Sequence, residues 1–230
     1  MPGAVNCDLG EFRIARLVTG GRWAENCYLV THACSGEAVL IDPGSDAREI
    51  EHLLNEKRAT LRHILLTHAH FDHVGAVAAI CRATGLSCRL HSADARLLRH
   101  APMYAELFSH ESIEMPGPCC FFESEEFDMG GRRVAALHTP GHTAGSVCYS
   151  FPDFTFTGDT LLRQSVGRTD LPGGNAAVLS SSVSRLIDSL ADGIVLFPGH
   201  GPEWRTEDAR DWWSRLQTEP PRFTLQGGTA

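Results

Sequence analysis

The stretch Thr67-His-Ala-His-Phe-Asp-His73 follows the apolar run Ile64-Leu65-Leu66 and puts three imidazoles and one carboxylate within six positions. They fall where a buried strand should stop and a helix should begin. At an extended strand end, residues two apart point to the same side, so His68 and His70 can grip one metal together. The chain then runs from His73 to Gly85 in a helical pattern, with Gly85 as its C-cap. That turn aims Asp72 and His73 differently from the first pair, and two differently aimed pairs suggest two neighbouring metal ions. A lone histidine reads as a surface or packing residue. Four ligand-type residues so spaced after a β-run do not.

Three more segments each place a ligand-type side chain beside Gly or Pro after a β-like run: His138-Thr-Pro-Gly-His-Thr143, Thr157-Gly-Asp-Thr160 and Pro198-Gly-His-Gly201. Glycine there lets the backbone turn sharply and keeps bulk away from a metal and its substrate. Singly these are weak signals; in this order they are strong. Together the four motifs resemble the metallo-β-lactamase superfamily, most closely its glyoxalase II-like (hydroxyacylglutathione hydrolase) single-domain branch. The resemblance runs from about Asn26-Cys-Tyr-Leu-Val30 and Ile41-Asp-Pro-Gly44 through Pro198-Gly-His-Gly201. It implies one metal held by His68, His70 and His142, another held by Asp72, His73 and His200, and Asp159 bridging both. B1-type β-lactamases carry cysteine where Asp159 stands, which disfavours a lactam substrate. Ser165-Val-Gly-Arg-Thr-Asp-Leu-Pro-Gly-Gly174 resembles a segment shared by small glyoxalase II-like proteins and persulfide dioxygenases.

The 230 residues are 43% hydrophobic, enough for one compact domain spanning 1–230, with a core over about 12–204 and a C-terminal helix and tail over 205–230. No apolar run is long enough to span a membrane, and the N-terminus lacks the pattern of a signal peptide. Eight scattered cysteines without a CxxC read as reduced thiols, so the expected location is cytoplasmic. Adjacent Cys119 and Cys120 read as free thiols rather than a redox pair. Twenty Lys+Arg face 28 Asp+Glu, a formal charge of −8, which argues against a nucleic-acid substrate and for a small molecule.

Periodicity predicts strands at Phe12–Val18, Cys27–Thr31, Ala38–Ile41, 63–66, Cys88–Leu90, 132–137, 146–151, 154–157 and 194–197. Helices are predicted at Glu49–Lys57, 73–84, from an N-cap at Ser92, near 176–190 and at 206–217. By itself this pattern says mixed α and β in layers. The resemblance makes it an α/β (α+β) fold, the four-layer αββα metallo-β-lactamase sandwich. Segment 100–125 has no clean period and reads as a loop bordering the active site or packed over the core.

Two divalent ions sharing a water bring its pKa down to about neutral, so the expected chemistry is attack of a metal-bridging hydroxide on a thioester or related ester. Zinc suits the His-rich set, with iron or manganese as alternatives. Asp72 and Asp159 read as catalytic as well as metal-binding, Asp72 by orienting the nucleophile. Asp42, Thr67 and Thr143 are candidates to orient ligand histidines, each equally readable as a strand or turn cap. His138 and His91 read as structural, and His32, His52, His63, His100 and His110 as surface or packing residues. Arg168 and Asp170 read as an internal ion pair, and Trp212-Trp213 as core or subunit-interface residues, leaving the oligomeric state open. Only 30 residues follow His200, so the helical domain that grips glutathione in full-length glyoxalase II is absent or rebuilt. The thiol could be glutathione, coenzyme A or an acyl carrier. A persulfide dioxygenase with one iron on His68, His142 and Asp159, a lactonase, and a non-catalytic metal binder are the competing readings.

Overall fold

The computed structural model describes residues 5–218, so the first four residues and the tail from 219 lie outside it. Its strands form two sheets. The first holds β1 (Val5–Leu9), β2 (Phe12–Thr19), β3 (Glu25–His32), β4 (Glu37–Ile41), β5 (Thr60–Leu65), β6 (Cys88–His91) and β7 (Cys119–Phe122) in sequential order. It is antiparallel through β4 and parallel from β4 to β7. The second holds β8 (Glu125–Met129), β9 (Arg132–His138), β10 (Val147–Ser150), β11 (Phe154–Gly158), β12 (Val195–Pro198) and β13 (Trp204–Arg205), in the order β13-β12-β11-β10-β9-β8. There β11 and β12 alone run parallel.

Period-two patterning decides which layer each side chain joins. Tyr28 and Val30 of β3 and Val39 and Ile41 of β4 face the other sheet, where they pack with Tyr149, Phe154, Phe156 and Phe197. Their neighbours Leu29, Ala38 and Leu40 face outward onto helices α1 (Ala47–Lys57), α3 (Val77–Thr84) and α4 (Ala95–Ser109), through Ile50, Leu53, Val77, Ile80 and Leu98. On the far side, Cys148 and Leu196 pack under α5 (Ala176–Ser189) and α6 (Thr206–Thr218) through Leu179, Val183, Leu186 and Ala209. The result is the expected four-layer αββα sandwich. The aromatic layer between the sheets is dense, with Phe156 at ring-centroid distances of 4.9 Å from Tyr28 and 5.3 Å from Phe197.

Several local expectations need correction. The helix expected over 73–84 is two pieces, a single turn α2 (Phe71–Val74) and then α3. A Cβ at Gly75 would lie 2.4 Å from the Gly44 carbonyl, so the chain needs glycine where it crosses that turn. Gly85 does cap α3, with φ 71° and its N–H on the Cys81 carbonyl at 2.9 Å. Ser92 opens a short 3₁₀ turn that the His91 side chain caps, and α4 follows it. Segment 100–125 is a loop mainly over 110–118: α4 runs to Ser109, with Ala101 and Ala105 in the core, and β7 occupies Cys119–Phe122. Pro102 inside α4 and the narrow buried stripe Leu98, Ala101 and Ala105 obscure its period. Strand 63–66 starts earlier, as Thr60–Leu65, because Thr60 and Leu61 pair with Glu37 and Ala38 of β4. Strands β1 and β8 were not expected from the pattern.

Two sets of contacts fasten the sheets at one end. Asn26 Nδ2 and the Tyr28 hydroxyl both donate to the Pro198 carbonyl, at 2.9 and 2.7 Å, and the Asn26 N–H donates to the Gly199 carbonyl at 2.7 Å. The carboxyl ends of β5, β11 and β12 meet at this edge, where loops rather than ladders carry the side chains.

Three buried apolar clusters among the described residues make packing, rather than a bound ion, the expected main source of stability. Phe156→Ala, which empties the inter-sheet aromatic layer, is expected to cost about 3–5 kcal/mol in urea unfolding. Chelator treatment of the wild type is expected to leave the far-UV circular dichroism near native.

A two-pronged histidine–aspartate centre

Each functional side chain comes from a strand end. Beyond β5 the chain stays extended through His68 and His70, whose rings lie 4.8 Å apart on one side of the backbone. The turn of α2 then places Asp72 and His73. The loop after β9 brings His142, the end of β11 brings Asp159, and the end of β12 brings His200. All seven side chains meet in one cleft, in two groups. His68 Nε2 and His70 Nδ1 lie 3.2 and 2.9 Å from His142 Nε2. His200 Nε2 lies 3.2 Å from His73 Nε2 and 3.4 Å from the Asp72 carboxylate. Asp159 sits between the groups, 3.5 Å from His142 Nε2 and 3.6 Å from both His73 Nε2 and His200 Nε2.

The backs of the rings fix their tautomers. Asp42 stands at the end of β4 with φ 48°, a left-handed turn that an aspartate tolerates. Its carboxylate accepts the Thr67 N–H at 2.7 Å, the Thr67 hydroxyl at 2.6 Å and His73 Nδ1 at 3.0 Å. Because the Thr67 hydroxyl proton goes to Asp42, its oxygen is left to accept from His68 Nδ1 at 3.0 Å. His142 Nδ1 donates to the Arg168 carbonyl at 2.8 Å, and His200 Nδ1 to the Trp23 carbonyl at 3.0 Å. A neutral imidazole that donates through Nδ1 carries its lone pair on Nε2. The Nε2 lone pairs of His68 and His142 therefore face each other, a contact that suits a cation between them. His68, His70 and His142 also form a set whose candidate ligand atoms all lie within 4.8 Å, as do Asp72, His73 and His200. Asp42, His68 and His73 meet the same test, but the Asp42 oxygens are already engaged by three donors.

Electrostatics separate the two groups. Burial and the neighbouring His73 push His68 well below the ordinary imidazole value, and burial and His142 push His70 down to about 3, so both are neutral and free to ligate. At His73 and His200 burial acts the same way, but Asp159 leads the carboxylates that outweigh it, and both rings are raised. At Asp72 and Asp159 burial opposes ionisation, and the pull of His73 first and His200 next outweighs it. Asp159 Oδ1 is buried without a hydrogen-bond partner among the described residues, an electron-rich atom facing the centre. This donor set of imidazoles and carboxylates fits borderline divalent ions.

Two positioning residues carry no motif signal. Asp94, buried beside the first group, accepts the Ala69 N–H at 3.0 Å, the Thr143 hydroxyl at 2.8 Å and the Gly145 N–H at 2.7 Å. It thus clamps the His68–His70 segment to the His142 loop. Thr143 acts through that clamp rather than on a histidine. Trp23 offers its carbonyl to His200, packs its ring edge on Phe71 at 5.1 Å, and donates Nε1 to Ser109 at 2.8 Å. Gly199 is required by space: a Cβ there would lie 2.3 Å from Asp159 Oδ1 and 2.7 Å from His73.

The remaining candidates fall outside the centre. His138 donates to the Ala144 carbonyl at 3.0 Å and stacks on His91 at 4.0 Å. His63 packs on Phe127, and His100 bonds the Arg96 carbonyl. Arg168 and Asp170 form the expected ion pair, at 2.7 and 2.8 Å. Trp212 and Trp213 pack against the α5 layer, and Trp213 Nε1 donates to Ser184. All eight cysteines are free thiols.

Asp42 touches both groups and Asp94 touches one, so their variants should separate. Loss of such an outer partner weakens a metal by roughly 10–100-fold. Asp42→Asn is expected to lower affinity at both ions, and Asp94→Asn at one, in chelator-competition titrations. Equal, single-site effects of the two variants would show that the tautomer network is not what holds the ligands.

The comparisons agree with this fold. The hydroxyacylglutathione hydrolase GloC of Haemophilus influenzae is 33% identical over 182 residues, covering 77% of this chain and 85% of that protein. The crystal structure of the BLEG-1 B3 metallo-beta-lactamase superposes with TM-score 0.79 at 32% identity, covering 86% of this chain and 96% of that one. TTHA1623, solved in a di-iron-bound form, superposes with TM-score 0.77 at 37% identity over 85% of this chain and 96% of that one. Residues 20–200 match the metallo-beta-lactamase superfamily as a whole, and with the αββα sandwich and the histidine–aspartate cleft in place, the chain belongs to that superfamily of metal-dependent hydrolases.

Proposed function

We propose that this protein hydrolyses a thioester, or a related ester, of a small molecule at a centre of two divalent ions, with zinc as the first candidate. The observation that carries the reading is the second group, Asp72, His73 and His200, standing beside the first with Asp159 between them. A one-metal enzyme has no use for it. In this reading His68, His70 and His142 hold one ion, Asp72, His73 and His200 the other, and Asp159 serves both. Ions so held supply Lewis acidity and a water acidic enough to attack at neutral pH.

The chain's own part is placement. Asp42 keeps the Nδ1 protons of His68 and His73 turned away from the cleft, and the Arg168 and Trp23 carbonyls do the same for His142 and His200. Asp72 lies beside His200, at the edge of the second group, where it can orient the attacking water. Hydrolysis is redox-neutral: a C–O bond forms at the acyl carbon, the C–S bond breaks, and the thiolate leaves with the electron pair and takes up a proton. Likeness to GloC supports the thioester, and likeness to a di-iron protein makes iron the metal to test beside zinc.

The Gly167-Arg-Thr-Asp170 segment that would favour a one-iron dioxygenase has a separate explanation. Arg168 pairs with Asp170 while its carbonyl holds His142, so the segment serves a ligand histidine whatever the chemistry.

The test is a panel of thioesters, lactones and glutathione persulfide assayed with zinc- and iron-loaded protein, on wild type and on His68→Ala, His73→Ala and His200→Ala. Thioester turnover that falls by ~100-fold or more in all three variants is expected, the scale of removing one preorganised electrostatic group. Full activity in His73→Ala and His200→Ala with a dead His68→Ala, together with oxygen uptake on the persulfide, would hand the site to the dioxygenase reading.

A further inference from the structure

A narrow apolar throat opens beside the first histidine group. It is lined by His70, Phe71, Leu97, Tyr104, Phe108 and Leu171, with Pro172 at its lip, and holds only about 10 Å³ of free volume as it stands. His70 is 8% exposed, turns Nδ1 to His142, and has Nε2 buried with no hydrogen-bond partner among the described residues. The aromatic wall is built from three parts of the chain. Tyr104 and Phe108 stack at 6.0 Å, Phe108 stacks on Phe71 at 6.2 Å, and Trp23 meets Phe71 edge-on. Phe108 is 38% exposed, so its ring can swing outward and widen the throat without emptying a core.

Leu97, Tyr104 and Pro172 also line a second, wider cleft of about 540 Å³, which continues along α4 past Met103 to Arg96 and His100. Arg96 has no ion-pair partner among the described residues, unlike Arg82, Arg89 and Arg168. Arg96, His100 and Tyr104 recur every fourth residue, so they share one face of the helix. Arg96 stands about 12 Å along the axis from Tyr104. The wall is thus apolar next to the metal centre and carries the cation Arg96 further out, while the one carboxylate of its described lining, the buried Asp94, is engaged by Ala69, Thr143 and Gly145. In a chain whose formal charge is −8, that local reversal of sign selects an anion.

We propose that the substrate is an amphipathic thioester whose arm on one side of the scissile carbonyl is apolar where it crosses the Phe71–Tyr104–Phe108 wall and ends in an anionic group at Arg96 and His100. This inference rests on the hydrolase reading above. The anion can be a carboxylate at the end of the acyl chain or a phosphate on the thiol carrier, and the experiment separates the two. The binding surface is α4, whose second half fell in the segment without a clean period.

The probes are acetyl, butyryl, hexanoyl and octanoyl thioesters of the uncharged thiol N-acetylcysteamine, the ω-carboxylated suberoyl thioester of the same thiol, and acetyl-coenzyme A. All are assayed on metal-loaded full-length protein. The proposal expects kcat/KM to climb roughly fourfold per added methylene until the throat is filled, the share of one buried CH₂. A carboxylated acyl arm should then beat octanoyl by about tenfold if the anion belongs to the acyl group, the scale of one well-placed charge pair. If it belongs to the carrier, acetyl-coenzyme A should beat acetyl-N-acetylcysteamine by a similar factor. Phe108→Ala and Tyr104→Ala should flatten the chain-length dependence, and Arg96→Gln should bring the charged and uncharged members of the preferred pair toward parity, through KM rather than kcat. Metal content and circular dichroism of each variant check that it is folded. A flat chain-length series with no charge preference overturns the inference while leaving a working thioesterase. No turnover of any thioester by fully loaded protein would instead sink the hydrolase reading itself.

Discussion

One buried carboxylate governs the centre. Asp42 lies at the end of β4, 2% exposed, and takes three hydrogen bonds that reach both ligand groups: His73 directly, and His68 through Thr67. An imidazole can present a lone pair from only one nitrogen when neutral, so fixing the proton on Nδ1 decides what Nε2 can do. The Arg168 and Trp23 carbonyls repeat the device at His142 and His200. His68, His73, His142 and His200 are therefore aimed into one cleft with Nδ1 turned to the protein and Nε2 inward, the edge that carries the lone pair whenever the ring is neutral. Nitrogens at 3.2 Å in that state gain from a cation between them and lose without one.

The sandwich supplies the rigidity this arrangement needs. Sheets packed on an aromatic layer fix the strand ends, and Asn26 and Tyr28 tie β3 to Pro198, two residues before His200. Loops at those ends can then carry polar and charged groups in a buried cleft because their orientation is set by the strands behind them. Asp94 extends the same logic sideways, linking residue 69 to residues 143 and 145 through one carboxylate. Burial that would be costly for isolated charges is offset here by mutual pairing: Asp159 and Asp72 raise His73 and His200, those rings lower the two carboxylates, and burial pushes His68 and His70 down.

What could be read in advance was whatever is local. His68, His70, Asp72 and His73 announce themselves because a strand end and a helical turn have known side-chain directions. The apolar runs buried on both faces, such as Tyr28, Leu29 and Val30 or Val39, Leu40 and Ile41, are equally plain as strands. The sandwich as a topology was carried by resemblance, since alternation says which face is buried and not which sheet covers it. Asp94 and Trp23 were invisible because their partners lie 25 to 51 and 177 residues away in the chain. The start of α4 was legible at Ser92, but its extent was not, because Pro102 and exposed Met103, Leu107 and Phe108 blur its period. Of these, Phe108 lines the throat beside His70 and Met103 the wider cleft along the helix.

The claim on which the account stands is that two cation sites meet at Asp159. Direct titration of metal-free protein with zinc, followed calorimetrically and closed by elemental analysis, measures it. The account predicts about two ions per chain in wild type, and loss of tight binding of both in Asp159→Ala. Saturation at one ion with excess metal, or an Asp159→Ala protein that still takes up two with unchanged affinity, would contradict it.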